Sequence, residues 1–239
     1  MLKMNLMKIA CIGGIAAGAL SAFSPSANAA LVCGFNSCTE SMSSATLAAG
    51  VGGNLSFTLF DPSVHNGTLS SVVYALSGTV LGTAEAENRV AAAATLTLSL
   101  AATINALKPA SVSVVSVVVP TSSNIFNASA FDGTVDFAGT SGISLTGLTA
   151  TLGPSNATLT LPADLALFTG IGSVLVPFSS TATSSATGSG TITSSFDTNY
   201  NMTLQITYNF EPNNAPEPAS LALLGIGLAG LCGLRRRRT

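Results

Sequence analysis

Apolar and hydroxyl-bearing residues alternate at period two along much of the chain. In Thr95-Leu96-Thr97-Leu98-Ser99-Leu100 every second residue is Leu, and Thr203-Leu204-Gln205-Ile206-Thr207-Tyr208-Asn209-Phe210 repeats the pattern with larger side chains. Successive side chains of a strand leave opposite faces, so this alternation puts one face in a core and the other in water. Runs at 55–60, 72–80, 112–119, 158–161, 173–178 and 190–196 extend the expectation of strands. Asn66-Gly67, Asp132-Gly133 and Gly153-Pro154 read as turns between them. Residues 163–168 read as a helical turn, and 179–190 as a low-complexity loop or an exposed strand pair. Ser and Thr together supply 58 of 239 residues, and both favour caps, turns and strands over helix interiors. The expectation for residues 30–215 is an all-β body of eight to ten short strands, folded as a β-sandwich or jelly roll.

Both ends break this pattern. Lys3 and Lys8 precede an apolar stretch at 9–23, Pro25 follows, and Ala27-Asn28-Ala29 is a small-x-small site. Residues 1–29 therefore read as a secretory signal peptide cleaved between Ala29 and Ala30. At the other end, residues 219–234 carry no charge and lead into Arg235, Arg236, Arg237 and Arg238. As a helix this stretch is about 24 Å long at 1.5 Å per residue, slightly under the ~30 Å hydrocarbon core. The arginine block predicts a transmembrane helix with its C-terminal end in the cytoplasm and the body outside.

Charge sharpens the picture. Only 8% of the residues are charged, about a third of the roughly 25% usual in soluble domains. Residues 30–215 hold nine acidic side chains and, as bases, only Arg89 and Lys108. Nucleic acid needs clustered Lys and Arg to displace counterions, so it is excluded as a partner.

Pro216-Glu217-Pro218, the apolar stretch and the arginine cluster follow one another at residues 216–239. This arrangement resembles the PEP-CTERM sorting signal of Gram-negative bacteria, departing from it at Ala215, where Val is common. The resemblance implies processing by an exosortase, a membrane-embedded cysteine transpeptidase-like enzyme, in bacteria that make exopolysaccharide. It also implies an inner-membrane-anchored precursor that later reaches the cell surface; a plain tail anchor is the alternative. The body is similar to the choice-of-anchor E domain over roughly 55–210. The similarity rests on Phe60-Asp61-Pro62-Ser63, Gly67-Thr68-Leu69, Leu76-Ser77-Gly78-Thr79-Val80, Phe131-Asp132-Gly133-Thr134-Val135-Asp136-Phe137 with Gly139 and Ser141-Gly142, Ala163-Asp164-Leu165-Ala166-Leu167-Phe168-Thr169-Gly170 and the 203–208 strand. That resemblance implies a surface location and brings no catalytic residues.

Few residues suggest chemistry. His65 is the only histidine, and its Pro and Asn-Gly surroundings read as a surface loop. Cys33 and Cys38 offer a zinc cluster with it, but export favours a disulfide between them, with Gly34 and Asn36-Ser37 turning the chain. Cys11 and Cys232 lie in the two apolar address segments. Asp132 and Asp136, if extended, stand about 13 Å apart, too far for a glycosidase pair. A calcium loop there has only Thr134 between them, a weak substitute for an acidic residue. Glu85, Glu87 and Arg89 read as one solvated strand face. The chain has no Trp and three Tyr; two of these lie in core-like runs, which argues against an aromatic sugar platform. The expectation is a non-enzymatic protein of the cell envelope or matrix, associated with exopolysaccharide and needing no cofactor or metal. The alternative is a module that binds polysaccharide or another surface polymer.

Overall fold

The computed structural model describes residues 30–121 and 123–213. Ala29, Pro216, Glu217, Pro218 and Arg235 to Arg238, and with them the signal-peptide and membrane-helix expectations, lie outside the described residues. Within them the chain is almost wholly antiparallel β-structure. In order the strands are β1 (Val32–Cys33), β2 (Ser37–Ser43), β3 (Leu47–Ala48), β4 (Gly53–Thr58), β5 (Gly67–Asn88), β6 (Ala94–Ser99) and β7 (Ala101–Leu107). They continue with β8 (Ser113–Pro120), β9 (Asn124–Ala128), β10 (Gly142–Leu159), β11 (Ser173–Ala182), β12 (Ser185–Gly188) and β13 (Ile192–Pro212). Two single-turn helices, α1 (Pro62–His65) and α2 (Pro162–Ala166), interrupt them.

One layer is a six-stranded sheet in the order β1-β2-β13-β5-β10, with β3 added beside β13. The other layer is broken in two: a four-stranded sheet β4-β11-β7-β8 and a three-stranded sheet β12-β6-β9. The breaks fall at equivalent places, because β6 runs into β7, β8 into β9 and β11 into β12 after one to three residues. The larger core lies between β5 and β13 on one side and β4, β7, β8 and β11 on the other. Tyr74, Leu76, Met202, Leu204, Ile206 and Tyr208 meet Phe57, Ile104, Val117, Val119 and Val176 there. Ala84 and Ala86 of β5 cover a second, smaller core with Leu96, Leu98 and Ala128.

The alternation at 203–210 is observed as expected, with Leu204, Ile206, Tyr208 and Phe210 buried. The strands are not all short, however: β5, β10 and β13 have 22, 18 and 21 residues. Glycines sit inside them. A Cβ on Gly78 would stand 2.5 Å from Ile104 Cδ1, and one on Gly82 1.8 Å from the Asp197 carbonyl oxygen. Close packing, not a turn, demands glycine at both positions. Gly153-Pro154 is likewise no turn between strands. It lies within β10, whose register on β5 shifts between Leu152 and Ser155 while the pairing continues. A bulge accommodates the proline, which has no N–H for the ladder.

The breaks in the second layer are sealed by hydroxyls. Leu100 N–H donates to Thr121 Oγ1 at 3.1 Å, and Thr121 N–H returns a bond to the Leu100 carbonyl at 2.7 Å. Ala101 N–H donates to Ser184 Oγ at 3.0 Å. Ser184 Oγ also pairs with Thr198 Oγ1 of β13 at 2.9 Å, tying the break to the opposite layer. These side chains satisfy backbone groups that would otherwise be buried without partners.

All three tyrosines are fully buried, one more than the sequence pattern placed in the core. Tyr200 donates to the Val51 carbonyl and Tyr208 to that of Thr58, at 2.5 and 2.7 Å. Burial raises the phenol pKa of each, and for Tyr208 the nearby Glu40 charge raises it further. The unfolded chain releases these protons near pH 10, whereas the folded chain holds them, so stability falls as pH rises above about 10. Absorbance titration at 295 nm should therefore show no tyrosinate before unfolding, then one cooperative step coincident with loss of the β-sheet signal in circular dichroism. Three independent ionisations in the folded protein would contradict this packing. Tyr208→Phe removes the hydroxyl that donates to the Thr58 carbonyl and should cost about 1–2 kcal/mol, read as a lower urea midpoint with unchanged m value.

Candidate functional site

The end of β13 defines one corner of the sandwich. Pro212 is the ladder partner of Gly67, and Asn213 N–H donates to the Asn66 carbonyl at 2.8 Å. Residues 214 onward therefore start from this corner. Two single-turn helices flank it, each begun by a proline whose missing N–H costs nothing in the first turn. Asp61 caps α1, accepting from Ser63 Oγ at 2.6 Å and Ser63 N–H at 2.8 Å. Those bonds hold its carboxyl below the usual range. Asn66, left-handed at φ 45°, ends the helix. Between α1, α2 and the start of β5 lies a groove of about 640 Å³, lined by Pro62, Leu69, Pro162, Leu165, Ala166 and Thr169. Lys108 Nζ meets Asp164 Oδ1 of α2 at 2.5 Å, which ties this helix to the β7–β8 turn.

Cys33, Cys38 and His65 meet at the same corner. The two cysteines are ladder partners on β1 and β2 and are joined as a disulfide. The His65 Nδ1 lies 3.7 Å from Cys38 Sγ, and the ring stacks on Phe60 with centroids 5.0 Å apart. The three ligand-type atoms fall within 4.8 Å of one another, but bonded sulfurs are not the thiolates a zinc site requires. His65 is not the surface-loop residue that its Pro and Asn-Gly context suggests. It sits half-buried on α1, because aromatic contacts with Phe60 and Phe210 draw it against the body. Ser63 and Asp61 bond to each other rather than to the imidazole, so no Ser-His-Asp relay forms among the described residues.

The acidic residues are distributed otherwise than the sequence suggests. Asp132 and Asp136 are exposed on the loop between β9 and β10. Each Oδ1 accepts from the backbone N–H two residues on, Thr134 at 2.9 Å and Ala138 at 3.0 Å. Glu85, Glu87 and Arg89 do not form a solvated face. Glu85 is half-buried and accepts from Ser144 Oγ at 2.9 Å. Glu87 is 0% exposed, and neither carboxylate oxygen has a hydrogen-bond partner. Arg89 lies over the Phe131 ring and donates to Thr193 Oγ1 at 3.3 Å. The cause is the loop after β9, which folds across this strand face. Strand periodicity cannot reveal such a loop; the only sequence signal is glycine at 142, opposite Glu87.

No curated protein matches the chain. Among solved structures, it is similar to a chain in the structure of infectious bursal disease virus strain Gx, at 13% identity and a TM-score of 0.19. That similarity covers 83% of this chain and 48% of the viral one, and at this score it carries no argument. Residues 214–238 match the family model of the PEP-CTERM protein-sorting motif. The chain thus carries, directly beyond the last strand of the described residues, the sorting signal of an exported protein processed by an exosortase.

Proposed function

We propose that the chain is a non-enzymatic component of the cell envelope or extracellular matrix, delivered by an exosortase-type system to a surface rich in exopolysaccharide. The sorting motif at 214–238 carries this reading. In the precursor the apolar stretch within it holds the chain in the inner membrane, with Arg235 to Arg238 inside. The body, read as a choice-of-anchor E domain, then reaches the cell surface. Burial of all three tyrosines and the absence of Trp support a matrix role over a lectin with an aromatic platform.

A second reading, a weak polymer-binding module, is favoured by the outward hydroxyls of the six-stranded sheet. Ser43 pairs with Thr203 at 2.8 Å, Thr79 with Thr151 at 2.8 Å and Thr39 with Thr207 at 3.1 Å. Such ladders present repeated donors and acceptors to a sugar chain. Retention of the protein on immobilised host exopolysaccharide distinguishes this role from a purely structural one.

The sorting reading is tested by replacing Pro216-Glu217-Pro218 with three alanines. The prolines stop a helix from growing outward, so their loss hides the recognition segment. The variant should accumulate as membrane-bound precursor, while mass spectrometry of the wild-type mature protein finds residues 221–238 missing. Equal maturation of both, or native extracellular protein retaining 221–238, would point to a plain tail anchor instead.

A further inference from the structure

We propose that the Cys33–Cys38 disulfide is a thiol–disulfide exchange site, opened at Cys33 by an incoming thiol while His65 supports Cys38 as the leaving group. The two sulfurs stand in unlike surroundings. Cys33 is exposed on β1, a two-residue edge strand that pairs only with β2 among the described residues. The nearby Val32 and Phe35 are 71% and 88% exposed, and residues 30–39 carry no charged side chain. Cys38 is 0% exposed on β2, and its sulfur lies 3.7 Å from His65 Nδ1.

The rate of exchange depends on access to the attacked sulfur and on how readily the other departs as a thiolate. Burial shields Cys38, so an external thiolate reaches Cys33. A bare thiolate left at Cys38 is disfavoured in its apolar surroundings. His65 removes that obstacle, because Nδ1, in the form that carries a proton, donates to the departing sulfur. Its ring is held there against Phe60, with centroids 5.0 Å apart, and against Phe210 at 6.0 Å. The step balances with the thiol as its only co-reactant. The thiolate bonds to Cys33 Sγ, the Sγ–Sγ bond breaks, and its electron pair goes to Cys38 Sγ. His65 delivers a proton to that sulfur and regains the one the incoming thiol gave up. The products are a mixed disulfide on Cys33 and a free thiol on Cys38; in reverse, Cys38 attacks Cys33 and releases the thiol. The site thus joins the body covalently to a thiol-bearing molecule, one per chain and without turnover. It is independent of the sorting reading and of any polymer bound.

The test uses the full-length protein in detergent with Cys11→Ser and Cys232→Ser, so that Cys33 and Cys38 are its only cysteines. The probe is 2-mercaptoethanol, a neutral thiol suited to the uncharged surroundings of Cys33. Samples are quenched early with N-ethylmaleimide and mapped by mass spectrometry. The thiol should be found on Cys33 and the maleimide on Cys38, at a rate that rises linearly with thiol concentration while the circular dichroism of the fold is unchanged. His65→Phe keeps an aromatic ring against Phe60 but removes the proton donor, and should slow the reaction by about tenfold to a hundredfold at the same attachment site. Attachment to Cys38, or a rate that saturates with thiol and tracks unfolding in urea, overturns the proposal. So does a folded His65→Phe variant that reacts as fast as the parent. If that variant does not fold, the rate law and the attachment site in the parent protein decide.

Discussion

The pairing of β5 with β13 is the constraint on which the rest of the body depends. The two strands stay in antiparallel register from Asn88 against Ile192 to Gly67 against Pro212, with one shift at Asn209/Phe210. A ladder of this length twists steadily along its course. A flat sheet laid against it would lose contact at one end or the other. The opposing layer breaks instead, and its two pieces each follow a different part of the twisted sheet. The division into a large core under the β4-β11-β7-β8 sheet and a small one under β12-β6-β9 follows directly.

The break explains why so hydroxyl-rich a chain can be a folded one. Interrupting three neighbouring strands at one level exposes backbone donors and acceptors inside the molecule. Ser184 and Thr121 satisfy them with short side chains that displace little apolar volume. Charged side chains would bring a larger desolvation cost to the same place. Glu40 does a related job between the layers. Its carboxylate, nearly buried on β2, accepts from Thr58 N–H at 2.7 Å at the end of edge strand β4. The adjacent Thr58 carbonyl takes the Tyr208 hydroxyl, so one edge residue links both sheets.

What the sequence disclosed depended on whether the signal was local. Period-two alternation at 95–100 and 203–210 marked the buried faces correctly, because strand geometry forces it. The all-β class followed from the same pattern. Strand length was hidden, in part because Gly153-Pro154, which reads as a turn, serves a bulge inside β10. The burial of Glu87 was hidden for a different reason. A loop more than forty residues further along covers it, and no periodicity within β5 records that cover. His65 was displaced from the expected surface by Phe60 and Phe210, which come from separate parts of the chain.

The order of the strands also bears on how the sorting tail works. β13 is the last strand of the described residues, yet it is central, paired with β2 and β3 on one side and β5 on the other. The large core is therefore incomplete until the chain through Pro212 has crossed the membrane. Pro216 lies only four residues further on, a reach of at most about 14 Å. The chain enters the sorting motif from the corner bearing α1, α2 and their apolar groove. Every strand of the described residues lies N-terminal to the motif, so removal of the tail leaves the two cores and the ladders described above intact.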